Sequence, residues 1–494
     1  MATDYFDVLI IGAGLSGIGA ACHLKKQCPG KSFAILEGRD AIGGTWDLFR
    51  YPGIRSDSDM FTLGYEFKPW TNKKGIADGA DIRHYIEDAA AEHRIGPHIL
   101  FGHKVTAARW HSKRAQWTLE TELSDGSKKE YCCHYLISCT GYYCYDEGFT
   151  PEFAGRDKFK GEIIHPQFWP EHYDYAGKRV VVIGSGATAV TLVPALTDKA
   201  AHVTMLQRSP SYVLSVPQQD AMVALLRKLL PQTWAYRMIR GRNVAITLGI
   251  FRFCKKFPTA ARRLLQWTVK KQLPAGFDMQ HFTPGYNPWD ERLCAVPEGD
   301  MFKAISDGKA SVVTAHIERF TEQGIQLTSG QTLPADTIIT ATGLKVQILG
   351  NIQISVDGEP FKPSQSMSYR GVMFENLPNM AMIFGYTNAS WTLKADLISN
   401  WICRLLNHMD KRGVRQVTPR NHNPAVQRLP FIDMQSGYIA RVRDQIPQQG
   451  DTRPWKLYQN YFLDMTLLKL AGMDDPALEY SNPVVSERPA QEAV

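Results

Sequence analysis

Val8-Leu9-Ile10-Ile11-Gly12-Ala13-Gly14-Leu15-Ser16-Gly17 places a Gly-x-Gly-x-x-Gly run directly behind an apolar strand and directly before a helical stretch, Ile18 to Lys26. Gly12 permits the tight turn, Gly14 lets the backbone approach a pyrophosphate, and Gly17 allows close packing of helix on strand. The helix N-terminus attracts the phosphate charge. Glu37 ends the next strand, where a carboxylate accepts hydrogen bonds from ribose hydroxyls. This argues for an unphosphorylated ribose, that of FAD or NAD.

The same strand, glycine turn, helix and strand recur from Arg179 to Arg208, with Gly184, Ser185, Gly186, Ala187 and Thr188 forming the second turn. Here Gln207-Arg208-Ser209 stands where the first copy has Glu37. An uncharged residue followed by Arg removes repulsion and supplies a cation for a 2′-phosphate, so Arg208 and Ser209 point to NADPH over NADH. Two nucleotide sites imply electron transfer between two cofactors, ordinarily a flavin and a nicotinamide.

Between the copies, Trp117 to Leu123 and Glu130 to Ser138 read as strands closing the first unit. A third strand of the second unit, Thr337 to Thr340, is followed by Ala341-Thr342-Gly343, and an apolar segment Met380 to Phe384 precedes a helical run from Ser390 to Leu405. The expected architecture is α/β, with two Rossmann-like dinucleotide-binding domains, the second inserted into the first. An FAD domain takes residues 1–145 and 341–494; an NADP domain takes 146–340, including a basic helical insertion at 215–280. The tail from about Glu487 is expected to be frayed.

Phe159-Lys160-Gly161-Glu162-Ile163-Ile164-His165-Pro166-Gln167-Phe168-Trp169-Pro170 lies just upstream of the second glycine turn. With Phe159, Gly161, His165 and Trp169 at those spacings, it resembles the fingerprint Phe-x-Gly-x-x-x-His-x-x-x-Trp-Pro of the class B flavin monooxygenases, and among them of the type I Baeyer-Villiger monooxygenases. Gly43-Gly44-Thr45-Trp46 and Arg50 to Asp57 are similar to that family's flavin-contacting loop, and Pro288-Trp289-Asp290-Glu291-Arg292 to the segment bearing its active-site arginine. Cys139 to Tyr143, Tyr286 to Leu293 and Gly385 to Thr392, with Asn388 in the last, resemble the ethionamide-activating monooxygenase subgroup.

The resemblance implies bound FAD, with Gly44, Thr45, Trp46, Asp57 and Asn388 among its contacts. It implies NADPH and O2 as co-substrates, and an apolar ketone or a sulfur compound as substrate. Oxygen is inserted beside the carbonyl through a flavin C4a-peroxide that must stay anionic. A guanidinium suits that task because it keeps its proton and offers a planar fork of donors. Arg292 is the candidate, with Asp57 as the carboxylate that holds it. The fingerprint His165 is implied to be a linker and conformational element, not the chemical base. One position departs from the family: many relatives carry Lys before the arginine, to hold the 2′-phosphate, and this chain has Glu291. The alternative is an N- or S-oxygenating flavin monooxygenase that forms no ester. A disulfide reductase of the same nucleotide folds would need a redox-active cysteine pair; the sequence has no Cys-x-x-Cys, and its Cys-x4-Cys spacing, Cys139 to Cys144, begins in a segment that resembles the monooxygenase subgroup.

The chain has 494 residues, 44% of them hydrophobic, enough for a large globular core. Nine scattered cysteines suggest neither a disulfide framework nor a metal site, and point to a reducing, cytoplasmic location. No apolar run approaches the roughly 18 residues of a membrane span. Net charge is +7, yet residues 221–277 hold twelve Lys and Arg with no Asp or Glu, leaving the remainder net negative. Interleaved with Leu, Phe and Trp, this stretch reads as basic helices. They form either a solvated insertion or a peripheral membrane contact, and no nucleic-acid module accompanies them.

Overall fold

The computed structural model describes residues 4–291, 293–432 and 437–483. Arg292 and the tail from Glu487 lie outside the described residues.

The strand that opens the chain, β1 (Asp4–Ile11), carries Val8, Leu9 and Ile10 fully buried, the continuous apolar run of a strand covered on both faces. It pairs in parallel with β2 (Phe33–Glu37) on one side and β3 (Lys128–Ser138) on the other. Helix α1 (Leu15–Gln27) makes the crossover and begins at Leu15, three residues earlier than the sequence suggested, with Gly14 as its N-cap. The sheet grows to eleven strands through an antiparallel meander, His103–His111, Gln116–Leu123 and β3, and through strands that return much later. Gln353–Val356 joins His103–His111, and Met380–Met382 joins β3 at Leu136 to Ser138.

The second sheet has five parallel strands in the order Ala310–Thr314, β5 (His202–Gln207), β4 (Arg179–Ile183), β6 (Thr337–Thr340), Glu162–Ile164. Helix α2 (Ala187–Leu196) crosses from β4 to β5. Because every strand of this sheet falls between stretches of the first, the second nucleotide unit is inserted into the first. An antiparallel ribbon of Tyr143–Gly148 on Leu344–Val346 carries the chain out and back.

The basic stretch forms three helices, α3 (Ala221–Leu229), α4 (Gln232–Lys256) and α5 (Pro258–Lys270). Arg240, fully buried on α4, donates to the carbonyls of Phe61 (2.9 Å), Thr62 (3.2 Å) and Gly64 (2.7 Å) and pairs with Asp396 at 3.4 Å. Such a charge is tolerable because both terminal nitrogens of the guanidinium, Nη1 and Nη2, find acceptors. Arg262 on α5 similarly donates to the Tyr286 carbonyl (3.2 Å) and Asn287 Oδ1 (3.1 Å). Helix α6 (Trp391–Arg412) overruns its expected end at Leu405, because Leu406 and Met409 continue the buried face until Gly413 stops it at φ 63°.

Candidate functional site

One cavity of about 500 Å³ is lined from both nucleotide units, and its floor is the first glycine turn. Gly12 sits at φ +99°, and a Cβ there would meet the Cys139 carbonyl at 2.7 Å; at Gly17 it would lie 1.8 Å from the Gly12 carbonyl. Gly17 is therefore a packing residue and lies away from the cavity lining. Gly14 faces Gly44, with only 3.5 Å between a Cβ on the one and the Cα of the other. A side chain there would occupy the cradle. Helix α1 has Gly14 as its N-cap, with no side-chain cap and no acid in its first turn, and α2 has Gly186 in the same way. By contrast, Asp220 caps α3. Both uncapped ends leave backbone N–H groups for an anion, the chemistry of a pyrophosphate seat.

Glu37 closes the first turn. It is 7% exposed, accepts from the backbone N–H of Ala13 (2.6 Å) and Arg39 (2.9 Å), and burial raises its pKa. Beside it, Asp47 is ringed by Arg39, Arg50 (3.2 Å) and Arg83 (3.3 Å). Burial works to raise the Asp47 carboxyl, but these guanidiniums hold it below its ordinary value. Arg39 lines the cavity. The sequence reading missed this cluster, whose members are up to 44 residues apart.

The Arg50 to Asp57 loop joins the units. A Cβ on Gly53 would fall 2.6 Å from Ala195 on α2, and the hydroxyl of Tyr51 reaches Thr188. Arg55 grips Asp300 in a two-pronged ion pair, its second prong at 3.3 Å. Ala187, Thr188, Thr45, Trp46 and the exposed Asp57 all line the cavity. Tyr51 and Tyr145 also line it, and burial pushes both phenols up to about 12.

The fingerprint divides. Phe159 is buried against Phe320, and a Cβ on Gly161 would meet the Asp336 carbonyl at 2.3 Å, so both serve packing. Trp169 packs edge-on against Tyr173 and Tyr175. His165 lines the cavity, accepting from the Gln167 N–H at 3.2 Å while Nε2 meets the Gly343 carbonyl at 3.3 Å. It therefore bridges the two crossings of the chain between units, and burial lowers its pKa.

At the second turn, Gln207 is turned inward, donating to the His281 carbonyl (2.8 Å) and Thr314 Oγ1 (2.9 Å). Arg208 and Ser209 are exposed, and Ser185 Oγ donates to the Ser209 carbonyl at 3.0 Å. These residues, with Gly184 and Gly186, lie outside the cavity lining. Glu291 lies within electrostatic reach of Arg208: burial raises its carboxyl and Arg208 opposes the shift. Two residues before it, Trp289 is held at φ +70°. Asn388 is not brought into the lining, although Thr387 and Ala389 are; its amide donates to the Gln459 carbonyl at 2.9 Å. An aromatic wall completes the cavity, Tyr142 stacking on Trp391 at 5.2 Å while the indole N–H of Trp391 donates to Ser16 Oγ (2.8 Å). Both aromatics stand in the family-like segments, the signal by which they were open to discovery. Among the described residues, no group of three or more His, Cys, Asp or Glu is placed to hold a metal ion.

The flavin-binding monooxygenase-like model matches residues 76–411, and an NAD(P)-binding Rossmann-like domain matches 10–67. The chain belongs to the flavin-binding monooxygenase-like family. It is 52% identical to the FAD-containing monooxygenase EthA of Mycolicibacterium smegmatis over 481 residues, covering 97% of this chain and 98% of the relative. It is 51% identical to the probable FAD-binding monooxygenase AlmA of an Acinetobacter species over 477 residues, 96% of each. In fold it matches oxidized steroid monooxygenase bound to NADP, with TM-score 0.77, 22% identity, and 97% and 100% of the two chains covered. The open structure of cyclohexanone monooxygenase follows at TM-score 0.72 and 24% identity, covering 85% of this chain and 90% of that one. The protein is an FAD-containing monooxygenase, and FAD and NADP(H) are its cofactors.

Proposed function

We propose that the protein inserts oxygen beside the carbonyl of an apolar ketone, a Baeyer-Villiger oxidation to ester or lactone, and oxidises soft sulfur in sulfides or thioamides. The observation that carries this reading is the cavity shared by the two units. Gly14, Glu37 and Gly44 seat one dinucleotide, Ala187 and Thr188 on α2 face it, and His165 stands at the join. A hydride donor on the second unit thereby reaches an acceptor on the first without crossing solvent. Apolar and aromatic walls at Phe49, Phe384 and Trp391 suit a substrate without charge.

When bound, the flavin supplies two-electron reduction by NADPH and activation of O2. The protein's own residues supply the rest. The uncapped start of α1 and the Gly12 to Gly14 backbone hold the pyrophosphate, Glu37 accepts from the ribose, and Arg39 adds positive charge beside it. Gly184, Ser185, Gly186, Arg208 and Ser209 hold NADPH at the second turn. Asp57 and Arg292 are the catalytic pair, Arg292 holding negative charge as it develops on oxygen. Residues 1–145 with 341–494 form the FAD unit and 146–340 the NADP unit. The nine cysteines, all free and buried, suit a reducing cytoplasm.

The test is product analysis with NADPH and O2 on a matched ketone and sulfide. Ester from the ketone supports the reading, and sulfoxide alone supports the N- or S-oxygenating alternative. Arg292→Ala is expected to lose ester formation at least a hundredfold, as for a lost oxyanion donor, with NADPH-dependent flavin reduction retained. Ester production at the parent rate would remove Arg292 from the mechanism.

A further inference from the structure

The helical insertion has two faces with different work. Its inner face is occupied: Arg227 donates to the Trp70 and Asn72 carbonyls, Arg240 is buried as described, and Lys255 pairs with Asp290 at 3.0 Å. Phe251 meets Trp289 edge-on, so the insertion also buttresses the segment that leads into Arg292.

Its outer face is unlike the rest of the surface. Among the described residues, eleven of the seventeen exposed large hydrophobic side chains fall between Met222 and Trp267. Their spacing puts them in stripes: Met222, Leu225 and Leu229 on α3; Ile246, Ile250 and Phe253 on α4; Leu264 and Trp267 on α5. Leu229 is 66% exposed and Trp234 60%. Lys228, Arg237, Arg252, Lys256, Arg263 and Lys270 are exposed beside them, in a stretch without a single acid.

We propose that this face docks on an anionic lipid surface, with α3 to α5 lying in the plane of the interface. Three observations select that occupant. Aliphatic and aromatic stripes interleaved with Lys and Arg match an acyl boundary beneath anionic headgroups. A second copy meeting the same face about a two-fold axis would set cation against cation. A phosphate backbone would satisfy the cations and leave Leu229, Ile250 and Leu264 in water. No described helix is long and apolar enough to cross a membrane, so the contact is peripheral. Docking has a geometric consequence: Val244, on the inner side of α4, packs with Tyr386 and Leu393, and Tyr386 lines the cavity. The cavity wall then lies about one helix diameter, ~10 Å, from the lipid.

The flavin-loaded full chain is to be sedimented with vesicles of phosphatidylglycerol in phosphatidylcholine, and with phosphatidylcholine alone, at low and high salt. Binding to the anionic vesicles at low salt is expected. So is quenching of tryptophan fluorescence by brominated acyl chains. Replacing Arg252, Lys256 and Arg263 by Gln weakens partition roughly fivefold per cation. Replacing Leu229, Trp234 and Trp267 by Ser weakens it at least tenfold and removes the quenching. Both sets are at the surface, and unchanged flavin content and melting temperature confirm folding. Absence of binding to anionic vesicles at low salt overturns the proposal, as does binding that neither set weakens. Binding without quenching, fully reversed by salt, overturns the docking of the apolar stripes. A concentration-dependent oligomer in sedimentation velocity, lost with the Ser set and unaccompanied by vesicle binding, overturns it in favour of self-association. DNA binding without vesicle binding overturns it in favour of a nucleic acid.

Discussion

The two glycine turns share a motif and differ in enclosure. At the first, Gly14 abuts Gly44 and the strand-ending Glu37 is buried, so the seat has a roof. At the second, a Cβ on Gly186 meets nothing within 4 Å, the strand-ending Gln207 is turned inward, and Arg208 stands in solvent. A closed seat suits a group that stays through many turnovers, and an open one suits a group that enters and leaves in each. One backbone device thus serves a resident and a visitor, and the surroundings make the difference.

The largest effect that tests this contrast is at the glycines. Gly17→Ala forces a methyl to within 1.8 Å of the Gly12 carbonyl, so the turn must move. Overpacking of this kind costs ~1–3 kcal/mol or more, and flavin content per polypeptide, read by absorbance, is expected to fall at least tenfold. Gly186→Ala has open space around it; flavin content is expected to be unchanged and the melting temperature to stay within about 2 °C. If the second substitution also strips the flavin, the two seats are not independent.

Next comes Arg208→Ala. A charge-assisted contact is worth ~1.5–3 kcal/mol, and the exposure of Arg208 discounts it toward the lower end. The KM for NADPH is expected to rise roughly tenfold, with kcat and the KM for NADH little changed. An equal loss with both nucleotides would assign Arg208 to general binding. Glu291→Gln acts in the opposite sense and is smaller: removing its charge beside Arg208 should lower the NADPH KM about threefold, within the range of a partly exposed pair. No change would mean that Arg208 already neutralises it.

What the sequence made legible was what neighbours in the chain can encode. Strand, turn and helix around Gly12 and Gly184 follow from contiguous residues, and so does the contrast of Glu37 with Gln207. The insertion followed from order alone. Long-range assembly was not legible. Asp47 is surrounded by Arg39 and Arg83 because β2 and the helix Gly79–Glu92 converge on it, and no local pattern announces that. The Arg50 to Asp57 loop was read as a flavin contact, and its clasp on the second unit, Gly53 against Ala195 on α2 and Arg55 on Asp300, depends on partners more than a hundred residues away. Asn388 differs from its neighbours in the chain: they line the cavity, and its own amide donates to the Gln459 carbonyl. The basic stretch looked uniform as sequence, and only packing separates the buried Arg240 from the exposed Arg252.

The smallest effect concerns the join between the two seats. His165 uses Nδ1 to accept from Gln167, so a proton there would destroy that bond, and burial further disfavours the charged ring. Its folded-state pKa thus lies below the ordinary imidazole value of about 6.5. Between those two values the unfolded chain binds the additional proton, so stability rises with pH and is lost as pH falls through 6.5 toward the folded value. His165→Asn keeps polar contacts without a titrating ring. The variant should show a flatter melting temperature from pH 7 to 5 than the parent, by an amount up to about 1 kcal/mol for a partly buried group. The flavin of the parent should remain bound across that range, because Glu37 and the first turn lie on the other side of the join. A variant with the parent's pH slope would place the titration elsewhere, with the half-buried His134 next in line.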